Sequence, residues 1–251
     1  MIRKTTLALL LAVAGVNAHA ALSAGDIAFT SFNADEDGLS FVTFTDIAAN
    51  TTIFFSDNEW TGSAFNTGES YNQWNSGSSQ IAAGSVIRFS AYDKSTLSAS
   101  TGTLSRVTVA SNTNWGISTS ADTIYAYLGT SATAPTTFLT AISNATDGSL
   151  VGTGLTEGTN AIRLNSIATT TTPDYAEYNG VRAGETSFDG YKAKVNNLAN
   201  WTVDATNGTY TTMIPDTTAF SVTAVPEPKN YAMFLAGLGL MGLIARRQSK
   251  H

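Results

Sequence analysis

Cysteine is absent, and the only two histidines are His19 and His251. Without thiols there is no disulfide framework, no cysteine nucleophile and no thiolate zinc site. Without an imidazole between residues 20 and 250, histidine-based triads, His-ligated zinc and His-Cys pairs are excluded. The chemistry left open is that of carboxylates, Lys or Tyr bases, and metals held by oxygen. Basic charge is also scarce: residues 21–225 carry 18 Asp and Glu against 7 Lys and Arg, a net charge of −11. Such a surface repels a phosphate backbone, so nucleic acid is not expected as a partner.

Long apolar runs are confined to the two ends. Arg3 and Lys4 precede an apolar stretch from Leu7 to Val16, and the small-x-small triplet Ala18-His19-Ala20 follows it. That order reads as a secretory signal peptide over residues 1–20, leaving Ala21 as the mature N-terminus. Near the other end, Tyr231 to Ala245 is apolar throughout. As a helix it spans roughly 22 Å, short of the hydrocarbon core of about 30 Å. Lys229 and Asn230 on one side and Arg246 and Arg247 on the other extend it to about 28 Å, so a transmembrane helix is expected over about 229–247. Arg246, Arg247 and Lys250 should stay cytoplasmic, which leaves the preceding domain outside. Gly237, Gly239 and Gly242 match G-x-G-x-x-G formally, but no strand precedes them and no acidic residue follows, so they are no dinucleotide fingerprint.

Between the ends the chain is rich in Thr, Ser, Gly and Asn, and short alternating runs recur at 26–32, 39–46, 51–58, 85–93, 106–110 and 122–129. Period-two alternation of β-branched and aromatic residues predicts strands. Asp-Gly at 37, 147 and 189, and Asn-Gly at 179 and 207, supply residues suited to tight turns. An antiparallel β-sandwich of all-β class follows. One stretch departs from the pattern: Tyr191, Val195 and Leu198 recur at spacings of four and three within 189–201, which predicts two or three turns of helix packed on the sandwich. The segment 168–174 reads as a loop.

Val225-Pro226-Glu227-Pro228, a short Gly- and Leu-rich helix and Arg246-Arg247 occur in that order. This arrangement resembles the PEP-CTERM sorting signal of Gram-negative exported proteins, over residues 225–251. The resemblance implies recognition by an exosortase, an integral-membrane processing enzyme, and an association with exopolysaccharide and biofilm. The sorting residues would be Pro226, Glu227, Pro228, Arg246 and Arg247. Two prolines around Glu227 keep the backbone extended and open to an enzyme at the inner-membrane surface. Residues 25–62 and 82–90 also resemble bacterial secreted β-domains akin to the lamin tail, which implies an immunoglobulin-like sandwich for residues 21–224 but no fixed activity.

Three groups of residues are candidates for a site. Asn33, Asp35 and Asp37, with Gly38, fit the front half of a calcium loop, although Phe44 stands where a bidentate Glu would be. An acidic, solvated turn is the alternative reading, and no other cofactor is indicated. Asp57, Glu59 and Glu69 offer the carboxylates that glycoside hydrolysis would need. Trp60, Tyr71, Trp74 and Trp115 could stack on sugar rings or pack a core. The reading that gathers these features is an exported surface or extracellular-matrix protein rather than an enzyme, membrane-anchored until sorted. The alternative is a carbohydrate-binding or carboxylate-dependent glycan-hydrolysing domain.

Overall fold

A computed structural model describes residues 20–109, 112–146, 148–166, 171–204 and 206–223, together with 238, 240 and 241. The strands are β1 (Ile27–Asn33), β2 (Gly38–Thr43), β3 (Thr52–Ser56), β4 (Tyr71–Asn75), β5 (Val86–Ser90), β6 (Ser98–Ala99) and β7 (Thr103–Arg106). They continue with β8 (Thr123–Ser131), β9 (Ala134–Ser143), β10 (Ala161–Arg163), β11 (Tyr175–Tyr178) and β12 (Ala183–Glu185). The helix α1 (Asp189–Val195) precedes β13 (Trp201–Val203) and β14 (Ser221–Val222). Two six-stranded sheets, ordered β13-β11-β1-β2-β5-β6 and β10-β9-β8-β3-β4-β7, form the sandwich, and β12 pairs with β14 beside them. Pairing is antiparallel throughout the large sheets except between β9 and β10.

Alternation along the strands sends side chains into two different apolar layers. In β3, Ile53 and Phe55 enter the main core while Phe54 joins a second cluster. In β8, Ile124 and Ala126 face the main core while Tyr125 and Tyr127 join the second. The second sheet is therefore buried on both faces, which explains why its strands carry aromatics at odd and even positions alike. Between the sheets Phe41 of β2 meets Phe55 at 5.7 Å and Trp74 at 5.5 Å, and Phe55 meets Phe89 edge-on at 4.9 Å. On the other face, the hairpin around Trp60 and Phe65 and the segment near Leu150 and Leu155 cover β8 and β9.

The helix is shorter than its periodicity predicts. It ends at Val195, where Asn196 Nδ2 bonds the Lys192 carbonyl at 2.9 Å. Asn197 Oδ1 then accepts from the Ala199 N–H at 3.0 Å and starts a separate 3₁₀ turn, Leu198–Asn200. Two adjacent Asn side chains compete with the helical ladder and stop it. Tyr191 and Val195 are buried as the spacing implies, and Leu198 packs at the margin of the core. Of the expected turn residues, Asp37 and Asn207 do take positive φ, 55° in each case. Asp189 instead opens α1.

One side chain of the sandwich gathers the end of the segment after β13. Arg182 donates from Nη1 to the Thr218 carbonyl at 3.1 Å, from Nη2 to the Asp216 carbonyl at 3.1 Å, and pairs through Nε with the Asp216 carboxylate at 3.0 Å. Its guanidinium lies over the Phe220 ring, 4.9 Å from the centroid. Phe220 thereby reaches the core beside Phe44, Tyr178 and Tyr191. Its carbonyl stands 2.2 Å from where a Cβ on Gly84 would lie, and Gly84 has φ +88°, so only glycine fits there.

Among the described residues no helix is long and apolar enough to cross a membrane. Residues 1–19 of the expected signal peptide, the sorting residues Pro226, Glu227, Pro228, Arg246 and Arg247, and most of the span expected over 229–247 lie outside the described residues. Of that span Leu238, Leu240 and Met241 are described, and they are helical and exposed.

Because Phe41 is fully buried at the meeting point of both sheets, Phe41→Ala should cost about 3–5 kcal/mol. Denaturant unfolding followed by far-UV circular dichroism measures this; a loss under 1 kcal/mol would contradict the role given to this ring.

Candidate functional site

The only strongly exposed tryptophan stands over an open groove. Trp115 is 41% exposed, whereas Trp60, Trp74 and Trp201 are all below 9%. The groove, of about 540 Å³, is lined by Asp37, Asp93, Asn114, Trp115, Ser118 and Thr119, with Gly116 and Ile117 completing it. Three separate parts of the chain meet there: the turn between β1 and β2, the segment following β5, and the loop that leads into β8. Backbone bonds fix this meeting. The Tyr92 N–H donates to the Asp37 carbonyl at 2.9 Å, and Asp37 Oδ1 accepts from the Ile117 N–H at 2.5 Å. A Cβ on Gly116 would stand 3.0 Å from the same Oδ1, so the missing side chain allows the close approach.

The indole is held from beneath. The Arg106 guanidinium carbon lies 4.2 Å from the Trp115 ring centroid. That guanidinium is itself fixed, since Nη2 donates to the carbonyls of Tyr92 at 2.6 Å and Lys94 at 3.2 Å. Cation–π contact with an anchored arginine orients the ring and leaves its opposite face outward. Asp93 pairs with Lys94 through Oδ2 and neighbours Asp37. Burial first, and then the Asp93 charge, raise the Asp37 carboxyl from its ordinary range to about 6, against the lowering effect of the Ile117 N–H.

A second acidic group joins Asp35, Asp174 and Asp204. Asp35 Oδ2 accepts from the Tyr210 N–H at 2.6 Å. Asp204 accepts from the Thr206 N–H at 2.9 Å and the Gly208 N–H at 3.1 Å. Burial, the hydrogen bond shared with Asp204, and the charges of Asp204 and Asp35 raise Asp174 to about 7. Burial also acts on Asp204, but the bonds from Asp174, Thr206 and Gly208 prevail and hold it at about 2. The two carboxyls titrate as a coupled pair, the first proton leaving near 2 and the second near 7. Tyr175 and Tyr210 stack beside it, 4.6 Å between centroids.

The third group is enclosed. Asp57, 1% exposed, accepts through Oδ1 from the Ser70 N–H at 2.6 Å and the Ser70 hydroxyl at 2.8 Å. Its Oδ2 is buried without a donor among the described residues, as are Asn72 Oδ1 and the Tyr92 hydroxyl. Burial raises Asp57 to about 8 despite the Ser70 bonds, with the Glu69 charge adding to the rise. A neutral Asp57 carries a proton to donate inside this polar cluster, which an ionised one would lack. The cluster ties residues 56–58 to 70–72 at the base of the loop that lays Trp60 and Phe65 on the second sheet.

The sequence-predicted residues therefore divide. Asn33 Oδ1 accepts from the Asp35 and Glu36 N–H groups, each at 3.1 Å, and its amide donates to the Tyr210 carbonyl at 3.0 Å. Asp35, like Asn33, turns to Tyr210, while Asp37 turns to Ile117, so the side chains of the calcium-loop pattern are engaged within the fold. Phe44 is a core residue against Phe220. No group of three or more acidic side chains arranged to hold a metal ion occurs among the described residues. Asp57 is interior, while Glu59 and Glu69 are half-buried in the same hairpin. Trp60, Tyr71 and Trp74 pack cores, and Trp115 alone of the four aromatics faces a groove. Asp93, Arg106, Asp174 and Asp204 had no local pattern to mark them, since Asp93 meets Asp37, and Asp174 meets Asp204, only through the fold.

Comparison of the chain with family models, with curated proteins and with solved structures finds no match.

Asp57 and Asp174 hold protons in the folded state that the unfolded chain releases near pH 4. Their contribution to stability is thus complete below about pH 4 and is lost as pH rises through about 7 and 8. Asp204 acts in the opposite sense, its contribution being lost as pH falls from about 4 towards 2. Thermal midpoints should therefore be higher at pH 5 than at pH 8.5, and Asp57→Asn, which keeps the shape and a donor, should reduce that difference. An equal difference in wild type and variant would show that Asp57 is ionised in the folded chain.

Proposed function

We propose that the chain is an exported surface or extracellular-matrix protein of exopolysaccharide and biofilm, and that it acts by binding and assembly rather than by catalysis. In this reading residues 1–20 direct export, and the C-terminal segment holds the domain at the inner membrane. An exosortase then processes it near Pro226-Glu227-Pro228. The sandwich itself is taken as lamin-tail-like. That assignment is supported by residues 25–62 and 82–90, which supply β1, β2, β3 and β5.

One observation carries the proposal: among the described residues the buried core begins at Leu22 and ends at Phe220. Three residues further, the Thr223 N–H still donates to the Glu185 carbonyl at 2.7 Å. Removing a leader before residue 21 and a tail from 226 onward would leave all of these core residues in the chain. A protein that is cut at both ends during export needs that separation between fold and address.

The test is deletion of residues 226–251 in the native host, with fractionation and immunoblotting. The truncated protein should lose membrane retention and the larger precursor should vanish. Retention and precursor size equal to those of the full chain would overturn the sorting reading.

A further inference from the structure

We propose that the groove at Trp115 is a glycan-binding site that takes an uncharged pyranose unit, stacked on the outward face of the indole with its hydroxyls on the Asp37 and Asp93 carboxylates. This goes beyond the sorting reading and does not depend on it.

The groove combines the two kinds of surface that a sugar ring presents. A pyranose has an apolar face of C–H groups and a rim of hydroxyls. Trp115 offers a flat apolar surface that is already oriented, because Arg106 occupies its other face at 4.2 Å and is itself anchored to two carbonyls. Little side-chain freedom remains to be lost when a ring settles there. The remaining lining is polar except for Ile117, which is 4% exposed and has its N–H on Asp37. Carboxylates are strong acceptors for hydroxyl donors; Asp93 presents Oδ2, which it shares with Lys94, its Oδ1 being buried, and Asn114, Ser118 and Thr119 supply both donors and acceptors around the rim.

Charge selects among sugars. Asp37 and Asp93 at the groove, together with the net charge of −11 over residues 21–225, repel uronates, sulfated sugars and phosphates. A cationic amino sugar meets Lys94 already paired with Asp93 and Arg106 already pressed on the indole. Its ammonium would have to displace Lys94 from Asp93 or share that carboxylate with it. An uncharged ring meets neither penalty. An apolar peptide fits poorly, since the carboxylates would lose water without gaining a donor.

The site is readable without labels, because the other three tryptophans are buried and Trp115 is the one a ligand can touch. The full chain in a zwitterionic, sugar-free detergent is titrated with cello-, manno- and xylo-oligosaccharides, and with chitosan and alginate oligosaccharides. Tryptophan fluorescence and titration calorimetry follow the binding. Saturable binding of at least one uncharged series is expected, with none or much weaker binding of the charged ones. Trp115→Ala should weaken it about tenfold, Trp115→Tyr should retain most of it, and Asp93→Asn should weaken it several-fold with melting unchanged. If Trp115→Ala melts early, the Tyr and Asn variants still decide the matter. Absence of saturable binding to every uncharged series, preference for a charged one, or wild-type affinity in both Trp115→Ala and Asp93→Asn would overturn the proposal.

Discussion

The contact between the two sheets through Phe41, Phe55, Trp74 and Phe89 is what the rest of the molecule depends on. With no cysteine to bridge the layers, their separation and angle are set by interdigitating rings. Trp74 is placed by both layers: its ring packs on Phe41, and its Nε1 donates to the Thr101 carbonyl at 2.7 Å. Gly102 sits against that same ring, its notional Cβ 2.6 Å from Nε1, so the short link between β6 and β7 can cross from one sheet to the other beside it. Arg106 at the end of β7, and with it the orientation of Trp115, follows from this crossing.

Much of the central sandwich was legible because its strands alternate. The runs at 26–32, 39–46, 51–58, 85–93 and 122–129 fall on β1, β2, β3, β5 and β8. The run at 106–110 was displaced: β7 ends at Arg106, and Val107 and Val109 instead lie against the outer aromatic cluster. β4 escaped notice because Tyr71-Asn72-Gln73-Trp74-Asn75 carries amides that favour turns, yet Asn72 is buried by hydrogen bonding to Ser70. β9 was hidden for the opposite reason. With both faces covered and a register shift opposite Ala126 and Tyr127, it shows no simple alternation.

The groove was legible in part. Asp37 and Trp115 were candidates under two unrelated ideas, and only the fold brings them to one place. Sequence could not separate Trp115 from Trp60 and Trp74, because an indole that packs and an indole that waits look the same in a string of letters. Asp57 illustrates the converse. Its neighbours Ser56 and Asn58 look solvated, yet all three are buried, and the carboxyl is more useful neutral than charged.

The end of the sandwich has a mechanical consequence. Beyond Phe220 the chain leaves through β14, a strand of two exposed residues held by Ser221 N–H on the Arg182 carbonyl, the Tyr191 hydroxyl on the Ser221 carbonyl, and Thr223 N–H on the Glu185 carbonyl. Any tension entering from residue 223 meets these few bonds and the Phe220 ring before it reaches either large sheet. A strap so short yields before the layers behind it. The segment from Asp216 to Thr223 is thereby a fuse: under load it would peel from Arg182 and lengthen the chain by several residues before the large sheets part.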